Sequence, residues 1–393
     1  MSEKVNIVRA SGQLKRTEPT EDNVVVMVIS GVAVVDKIAL SEPKQIFSSD
    51  ALVDLGITQG NNPLAYQDIL DFYAMAGEGA ELNFMLVVDT TSLTDICDNA
   101  MQIGKKLLDA VDGRAVIFMV NRKLPDDYVM TVAAGLDVDV NTAVTKLNQM
   151  AVAYQLKNIP FVAALPALGW DKDTIADLPL RSTFSNDYVG LNTWCNKNDG
   201  IVSMGQFAGW MTKFQVHQNF GRVASGKVSD TAFMPDGTEA KTLKDQWASL
   251  ASKGLLIPIK IGGKSGYFFN DDPTLTAISS DYSSFSWNRT INKAQRIAYD
   301  ILVEKVNDEV DLDPNTGKIE TTLISDWESD VENAIRGQMM VVSSTKKKEI
   351  SGVKCTVDPN SDINNDQISA SLTIVRKGQA KQINVLIGYG VTI

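Results

Sequence analysis

Between Val24 and Cys195 the chain repeats one pattern: a short continuous apolar run, then a longer stretch in which apolar residues recur every three or four positions. The runs are residues 24–29, 82–88, 115–120, 161–165 and 188–194. A strand covered on both faces has to be apolar at nearly every position, so such runs read as buried strands of a parallel sheet. The stretches between them read as helices. Residues 62–76 carry Leu70, Phe72 and Tyr73, and Val144, Leu147, Ala151 and Tyr154 form a second stripe. Ser92-Leu93-Thr94-Asp95 resembles a capping box; Ile96, Ala100, Ile103 and Leu107 then follow at helical spacing and Gly113 closes that helix. Strands alternating with helices imply an α/β fold: a mixed, mostly parallel sheet flanked by helices.

The pattern changes after Cys195. Asn198-Asp199 is placed to cap a helix of about 20 residues with Met204, Phe207, Trp210 or Met211, and Phe214 on one side. Residues 226–242 are rich in turn formers, a helix runs through Trp247 and Leu250, and residues 255–261 read as a strand. Residues 293–306 are amphipathic, and Ser325-Asp326-Trp327-Glu328 is a capping box opening a helix with Trp327, Val331 and Ile335 on one face. From Ile368 to Ile374, and again from Ile383 through Val385, Ile387, Tyr389 and Val391 to Ile393, apolar and other residues alternate strictly. Four parts follow: an N-terminal arm (1–20) containing the strand-like Val5-Asn6-Ile7-Val8, an outer α/β domain (21–230), an α+β C-terminal domain (231–377) and a C-terminal strand arm (378–393). A terminal strand either joins its own subunit's sheet or is donated to a neighbour. Left unpaired it is an aggregation hazard.

Residues that carry chemistry are scarce. The net charge of −11 lacks the basic footprint of a nucleic-acid binder. Lys346-Lys347-Lys348 reads as a solvated turn. Cys97, Cys195 and Cys355 are odd in number, far apart and in no CxxC, which signals neither a disulfide framework nor a zinc site. The single histidine, His217, would have to carry any His-based triad or metal site alone. Gly263-Lys264-Ser265 has Pro258 where a phosphate loop needs glycine and is followed by Tyr267-Phe268-Phe269, so it reads as a hairpin turn. Ser30-Gly31 ends the first strand without a dinucleotide-binding glycine pattern. The loops at Asp311 and Asp358 depart from the calcium-loop pattern and read as Asx turns. The longest apolar run, residues 24–35, is shorter than the ~20 residues a membrane helix needs. The start of the chain has no secretory apolar region. The expectation is a soluble protein made in the cytoplasm, with no cofactor, no metal, no nucleic acid and no membrane insertion.

Several segments together resemble the tail sheath proteins of contractile phages and related particles. Ile29-Ser30-Gly31-Val32-Ala33 is similar to that family's first strand and small-residue turn. Pro43-Lys44-Gln45-Ile46-Phe47-Ser48-Ser49-Asp50 and Asp54-Leu55-Gly56 match its proline-led strand and the segment after it. Leu70-Asp71-Phe72-Tyr73-Ala74-Met75-Ala76-Gly77 matches its helix ending in aromatic-x-x-Gly, and Gly205-Gln206-Phe207-Ala208-Gly209-Trp210 its small-residue helix. Phe285-Ser286-Trp287-Asn288-Arg289-Thr290-Ile291 is similar to its Asn/Arg-containing helix start. Two departures mark a divergent member: Trp287-Asn288-Arg289 replaces the usual vRR, and Phe220-Gly221-Arg222-Val223-Ala224 stands where W-K-A-P is usual.

The resemblance implies a non-enzymatic structural subunit that polymerises around an inner tail tube and contracts to drive the tube through a target envelope. The implied partners are further copies of the chain, the inner tube protein, and baseplate and terminator proteins; the implied location is the tail of a virion or related particle. Val5, Asn6, Ile7, Val8, Ile383, Asn384, Val385, Leu386, Ile387 and Tyr389 would form inter-subunit arms. Arg289, Lys293 and Arg296 would face the tube. Two other readings stay open: a nucleotide- or metabolite-binding α/β enzyme, favoured by the strand–helix order and opposed by the missing phosphate cradle, and another self-assembling shell or surface-layer protein.

Overall fold

The computed structural model describes residues 22–344, 346–361, 367–381 and 383–385. In chain order the elements of its first body are β1 (Val25–Ser30), β2 (Lys44–Ile46), α1 (Ala51–Asp54), α2 (Pro63–Ala76), β3 (Leu82–Val87), α3 (Leu93–Cys97), α4 (Ile103–Ala110), β4 (Ile117–Asn121), β5 (Val132–Ala133), β6 (Leu136–Asp137), α5 (Val138–Gln155), β7 (Val162–Pro166), β8 (Ser185–Asn186), β9 (Val189–Asn192), α6 (Met204–Thr212), α7 (Trp247–Ser252), β10 (Leu255–Leu256), β11 (Pro258–Ile259), β12 (Phe268–Phe269) and β13 (Leu275–Thr276). Seven strands form one sheet in the order β10-β9-β7-β4-β1-β3-β2. All neighbours in it are parallel except β2, which runs antiparallel on β3. β1, β3, β4 and β7 are buried along their whole length, which is why their sequences are apolar without alternation. This is the mostly parallel, helix-flanked sheet that the sequence implies.

α2 and α6 cross at very short range. A Cβ on Gly205 would stand 2.0 Å from the Asp68 carbonyl oxygen, and one on Gly209 would stand 2.4 Å from that of Phe72. The small-residue helix noted in the sequence is therefore the surface that lets two backbones touch. Several boundaries differ from expectation. Ser92 caps as read, accepting from Asp95 N, but the single helix through Leu107 is two, because the Asp98 side chain turns the chain at Ala100 and Gln102 adopts φ 62°. α6 is nine residues long, since Asp199 forms a local turn with Ile201 N and the helix begins at Met204. The turn at Gly263-Lys264-Ser265 closes the β11–β12 hairpin, as its sequence indicated.

The second body consists of α8 (Phe285–Leu302), α9 (Thr321–Met339) and the antiparallel pair β14 (Ile350–Val357) and β15 (Ala370–Arg376). α9 starts four residues before the capping box at Ser325. The body has its own core, with Ile297, Val331, Ile335, Ile350 and Val353 among its members. The first core continues past residue 230: β10 lies in the large sheet, and Phe285 is still part of that core. α8 joins the two bodies: its first turn packs on the first core, and its later turns pack on the second while Arg296 reaches back to the first.

Candidate functional site

The first turns of α8 gather the two places where terminal segments join the folded body. Asp272 caps the helix: its Oδ2 accepts from Ser286 N at 2.9 Å, its Oδ1 from Ser284 Oγ at 2.6 Å, and its carbonyl from Phe285 N at 2.8 Å. Asn219 Nδ2 donates to both Asp271 and Asp272 and, at 3.2 Å, to Gln379 Oε1. Gln379 Nε2 donates to Ser286 Oγ at 2.9 Å, and Lys381 pairs with Asp271 at 2.6 Å. The Arg376 guanidinium lies 3.6 Å from the centre of the Trp287 ring. Burial and the Asp271 charge push Asp272 up to about 7. Burial would raise Asp271 too, but the Lys381 ammonium and the Asn219 amide outweigh it and hold that carboxyl below its usual range.

The other terminal segment enters beside them. Arg289, 3% exposed, donates to the carbonyls of Asp22, Met211 and Phe214 and to Asn23 Oδ1 at 3.1–3.3 Å. Lys293, 6% exposed, pairs with Asp22 at 2.7 Å and Glu349 at 2.8 Å. Arg296 donates to the carbonyls of Gly113, Ala115 and Pro160 at 2.6–2.7 Å. Burial lowers both guanidinium groups to about 10. These cations were expected to face outward toward an inner tube. The structure turns all three inward, because each meets a carboxylate or a set of backbone carbonyls that would otherwise lack partners. His217 is driven down to about 4 by burial and by the cations Lys377, Arg222, Arg289 and Lys293.

The two edges of the β14–β15 pair differ among the described residues: one is covered by α9 and the other meets no strand. Cys355 N donates to Glu332 Oε1 at 3.1 Å and Val357 N to Glu328 Oε1 at 3.0 Å, so side chains of α9 take the outward N–H groups of β14. In an antiparallel pair, the residue opposite an outward-pointing one also points outward. Ala370, Leu372 and Ile374, opposite Val357, Cys355 and Val353, therefore turn their N–H and C=O groups to the far side of β15. Among the described residues no strand pairs there. Ile383, Asn384 and Val385 adopt no strand, and Ile383 and Val385 are 77% and 72% exposed. Val5, Asn6, Ile7, Val8, Leu386, Ile387 and Tyr389 lie outside the described residues.

At the sheet end where α/β enzymes bind phosphates, the chain places a carboxylate of its own. Asp139 accepts from Leu93 N and Thr94 N at the start of α3, at 2.8 and 2.9 Å, and pairs with buried Arg122 at 3.1 Å. Among the described residues no group of three or more His, Cys, Asp or Glu is arranged to hold a metal ion. Asp313 and Asp358 form Asx turns with Asn315 N and Asn360 N. No helix of the described residues is long and apolar enough to cross a membrane. Sequence reading missed Asp22, Asp271, Asp272, Gln379 and Lys381. The one local signal was the Asp271-Asp272 doublet just ahead of a helix that starts with serines.

The descriptions "DUF2586, N-terminal domain" and "DUF2586, C-terminal domain" match residues 3–273 and 281–393. No curated protein matches the chain. Among solved structures it is similar to the helical sheath of the anti-feeding prophage in its contracted state, with TM-score 0.62 and 13% identity over 100% of this chain and 99% of that one. It is also similar to a chain of the anti-feeding prophage baseplate, with TM-score 0.59 and 12% identity over 100% and 99%. A third is the PVC sheath complex of an extracellular contractile injection system in its contracted state, with TM-score 0.54 and 11% identity over 99% of each chain. The chain belongs to the DUF2586 family, and its fold is that of contractile sheath proteins.

Proposed function

We propose that this chain is the structural subunit of a contractile sheath, polymerising around an inner tube and contracting to drive that tube through a target envelope. The observation that carries the reading is the far edge of β15, at which no strand pairs among the described residues, in a subunit whose other strand edge is covered by α9. A terminal segment of a neighbouring copy is the natural occupant, since a strand added to such an edge gains main-chain hydrogen bonds without a preformed pocket. The residues proposed as donors are 5–8, 383–387 and Tyr389. The two bodies, each with its own core and joined along α8, are suited to moving as near-rigid units while such strand links hold.

The inner tube, baseplate and terminator proteins are the proposed partners, and the proposed location is the tail of a virion or related particle assembled in a bacterial cytoplasm. With Arg289, Lys293 and Arg296 engaged inside the subunit, the exposed face of α9 becomes the proposed tube contact. The reading assigns no catalytic residue: the helix N-terminus at α3 is occupied by Asp139. Negative-stain microscopy of the purified chain tests the whole. Cylinders or cogwheel-ended tubes are expected, and Val385→Pro should leave a folded monomer. A wild-type chain that stays a small discrete particle at high concentration and with tube present overturns the proposal.

A further inference from the structure

We propose that residues 376–381 form a latch fixing the direction in which the C-terminal segment leaves the subunit, and that a proton on the Asp271–Asp272 pair sets how tightly the latch holds. Three residues in six, beginning with the last of β15, engage the start of α8 and the part of the first body beside it. Arg376 stacks on Trp287, Gln379 bridges Ser286 and Asn219, and Lys381 pairs with Asp271. The grip is polar and lies at the rim: Arg376, Ala380 and Lys381 are exposed and Gln379 is half-buried. A contact with so little apolar burial opens at low free energy compared with the cores beneath it. It is an attachment that can be made and released while both bodies stay folded.

Its strength depends on charge that the site does not balance. Two carboxylates adjacent in sequence converge on one amide, Asn219, and one exposed ammonium, Lys381, reaches Asp271. Asp272 is fully buried beneath Asp271. The other cations facing the pair are Arg289 on α8 and Arg181, whose own donors go to the carbonyls of Thr274, Thr276 and Ser283. Neither makes a direct ion pair with the two carboxylates. His217, on the neighbouring loop, is neutral through the relevant range. Burial and the like charge of Asp271 raise Asp272 to about 7, so near neutrality the pair passes between one negative charge and two. The second charge strengthens the hold on Lys381. The latch is therefore tight on the alkaline side of neutrality and looser on the acidic side. This is a property of the single chain, and its test does not depend on whether the chain polymerises.

A nitroxide on Ala380→Cys reads the latch directly, because Cys97, Cys195 and Cys355 are buried and leave the new thiol as the accessible one. Its spectrum should be immobilised at about pH 8 and gain a mobile component on going to about pH 6, a change of roughly threefold to tenfold in the released fraction. Asp272→Asn should flatten that dependence. Lys381→Met and Asp271→Asn, which leave the Asp272 cap of α8 in place, should be mobile throughout. A label equally mobile at every pH in the wild-type background overturns the latch. A transition that survives Asp272→Asn overturns the proton's role. Should Asp272→Asn fail to fold, an unchanged, immobile label in Lys381→Met overturns the proposal by itself.

Discussion

The ammonium of Lys293 stands 2.7 Å from the carboxylate of Asp22, a residue 271 positions earlier in the chain. The same ammonium meets Glu349, so one buried cation ties the root of the N-terminal arm to the segment that leads into β14. Lys293→Met should cost about 3–5 kcal/mol, because it leaves a buried carboxylate without its counter-charge. Urea midpoints give the loss. Adding Glu349→Gln should restore part of it, and a double variant no better than the single one removes this account.

The edge of β15 is tested by two substitutions at one position. Ile374→Pro deletes an outward N–H and leaves the ladder to β14 in place, whereas Ile374→Ala keeps the N–H and loses only packing. The proline variant should be soluble and unable to form cylinders, and the alanine variant should assemble despite a loss of about 2–3 kcal/mol. Sedimentation and negative stain separate them; equal assembly by both refutes the edge.

Gly205→Ala should destabilise by about 3 kcal/mol, because its methyl group has no room beside the Asp68 carbonyl. Gly337→Ala on α9, where nothing lies within 4 Å, should instead stabilise by ~0.5–1 kcal/mol. Chemical denaturation of the pair checks both signs.

Asp68 gives a pH dependence whose sign is fixed. Burial, with a smaller contribution from Asp71, raises its pKa from 3.8 to about 7, against the opposing hydrogen bonds from Gly205 N and Asn121. The folded chain keeps a proton that the unfolded chain releases, so this stability is fully present below pH 3.8 and is lost as pH rises toward about 7. Asp272 contributes with the same sign. Unfolding free energy measured from pH 5 to pH 8 should fall, and Asp68→Asn should reduce the slope. A slope unaffected by that substitution assigns the dependence elsewhere.

Asp139→Ala should cost about 3–5 kcal/mol by leaving Arg122 buried without its partner. In the wild-type chain, ATP and NAD should leave the melting temperature unchanged. A bound ligand at a hundredfold excess over its Kd would add ~2.7 kcal/mol, which a thermal shift would register.

The sheet was legible because burial on both faces writes itself into consecutive residues: β1, β3 and β7 stand within one residue or two of the apolar runs. Helix ends were less so. A side-chain turn at Asp98 splits a stripe that looks continuous, and α9 begins before its capping box, since a local motif is only one of several ways to satisfy the first N–H groups. Arg289, Lys293 and Arg296 recur at helical spacing, and the resemblance implies that they face the tube. Their partners are Asp22, Glu349 and the carbonyls of Gly113 and Pro160, and no local pattern in the chain announces contacts of that sequence separation.

A two-stranded sheet with one side shut by its own helix has a valence of one. In the proposed assembly each copy would take in one strand at β15 and give one from a terminus, so donor and acceptor would be different surfaces of the molecule. Contacts between unlike surfaces can run head to tail, closing into rings or continuing as an open helix, and only a reciprocal exchange between two copies would end them in a two-fold pair. A head-to-tail polymer of this kind would grow with a direction. One end would expose vacant β15 edges and the other ungrafted termini, giving a cell two chemically distinct ends at which to start the structure and to stop it.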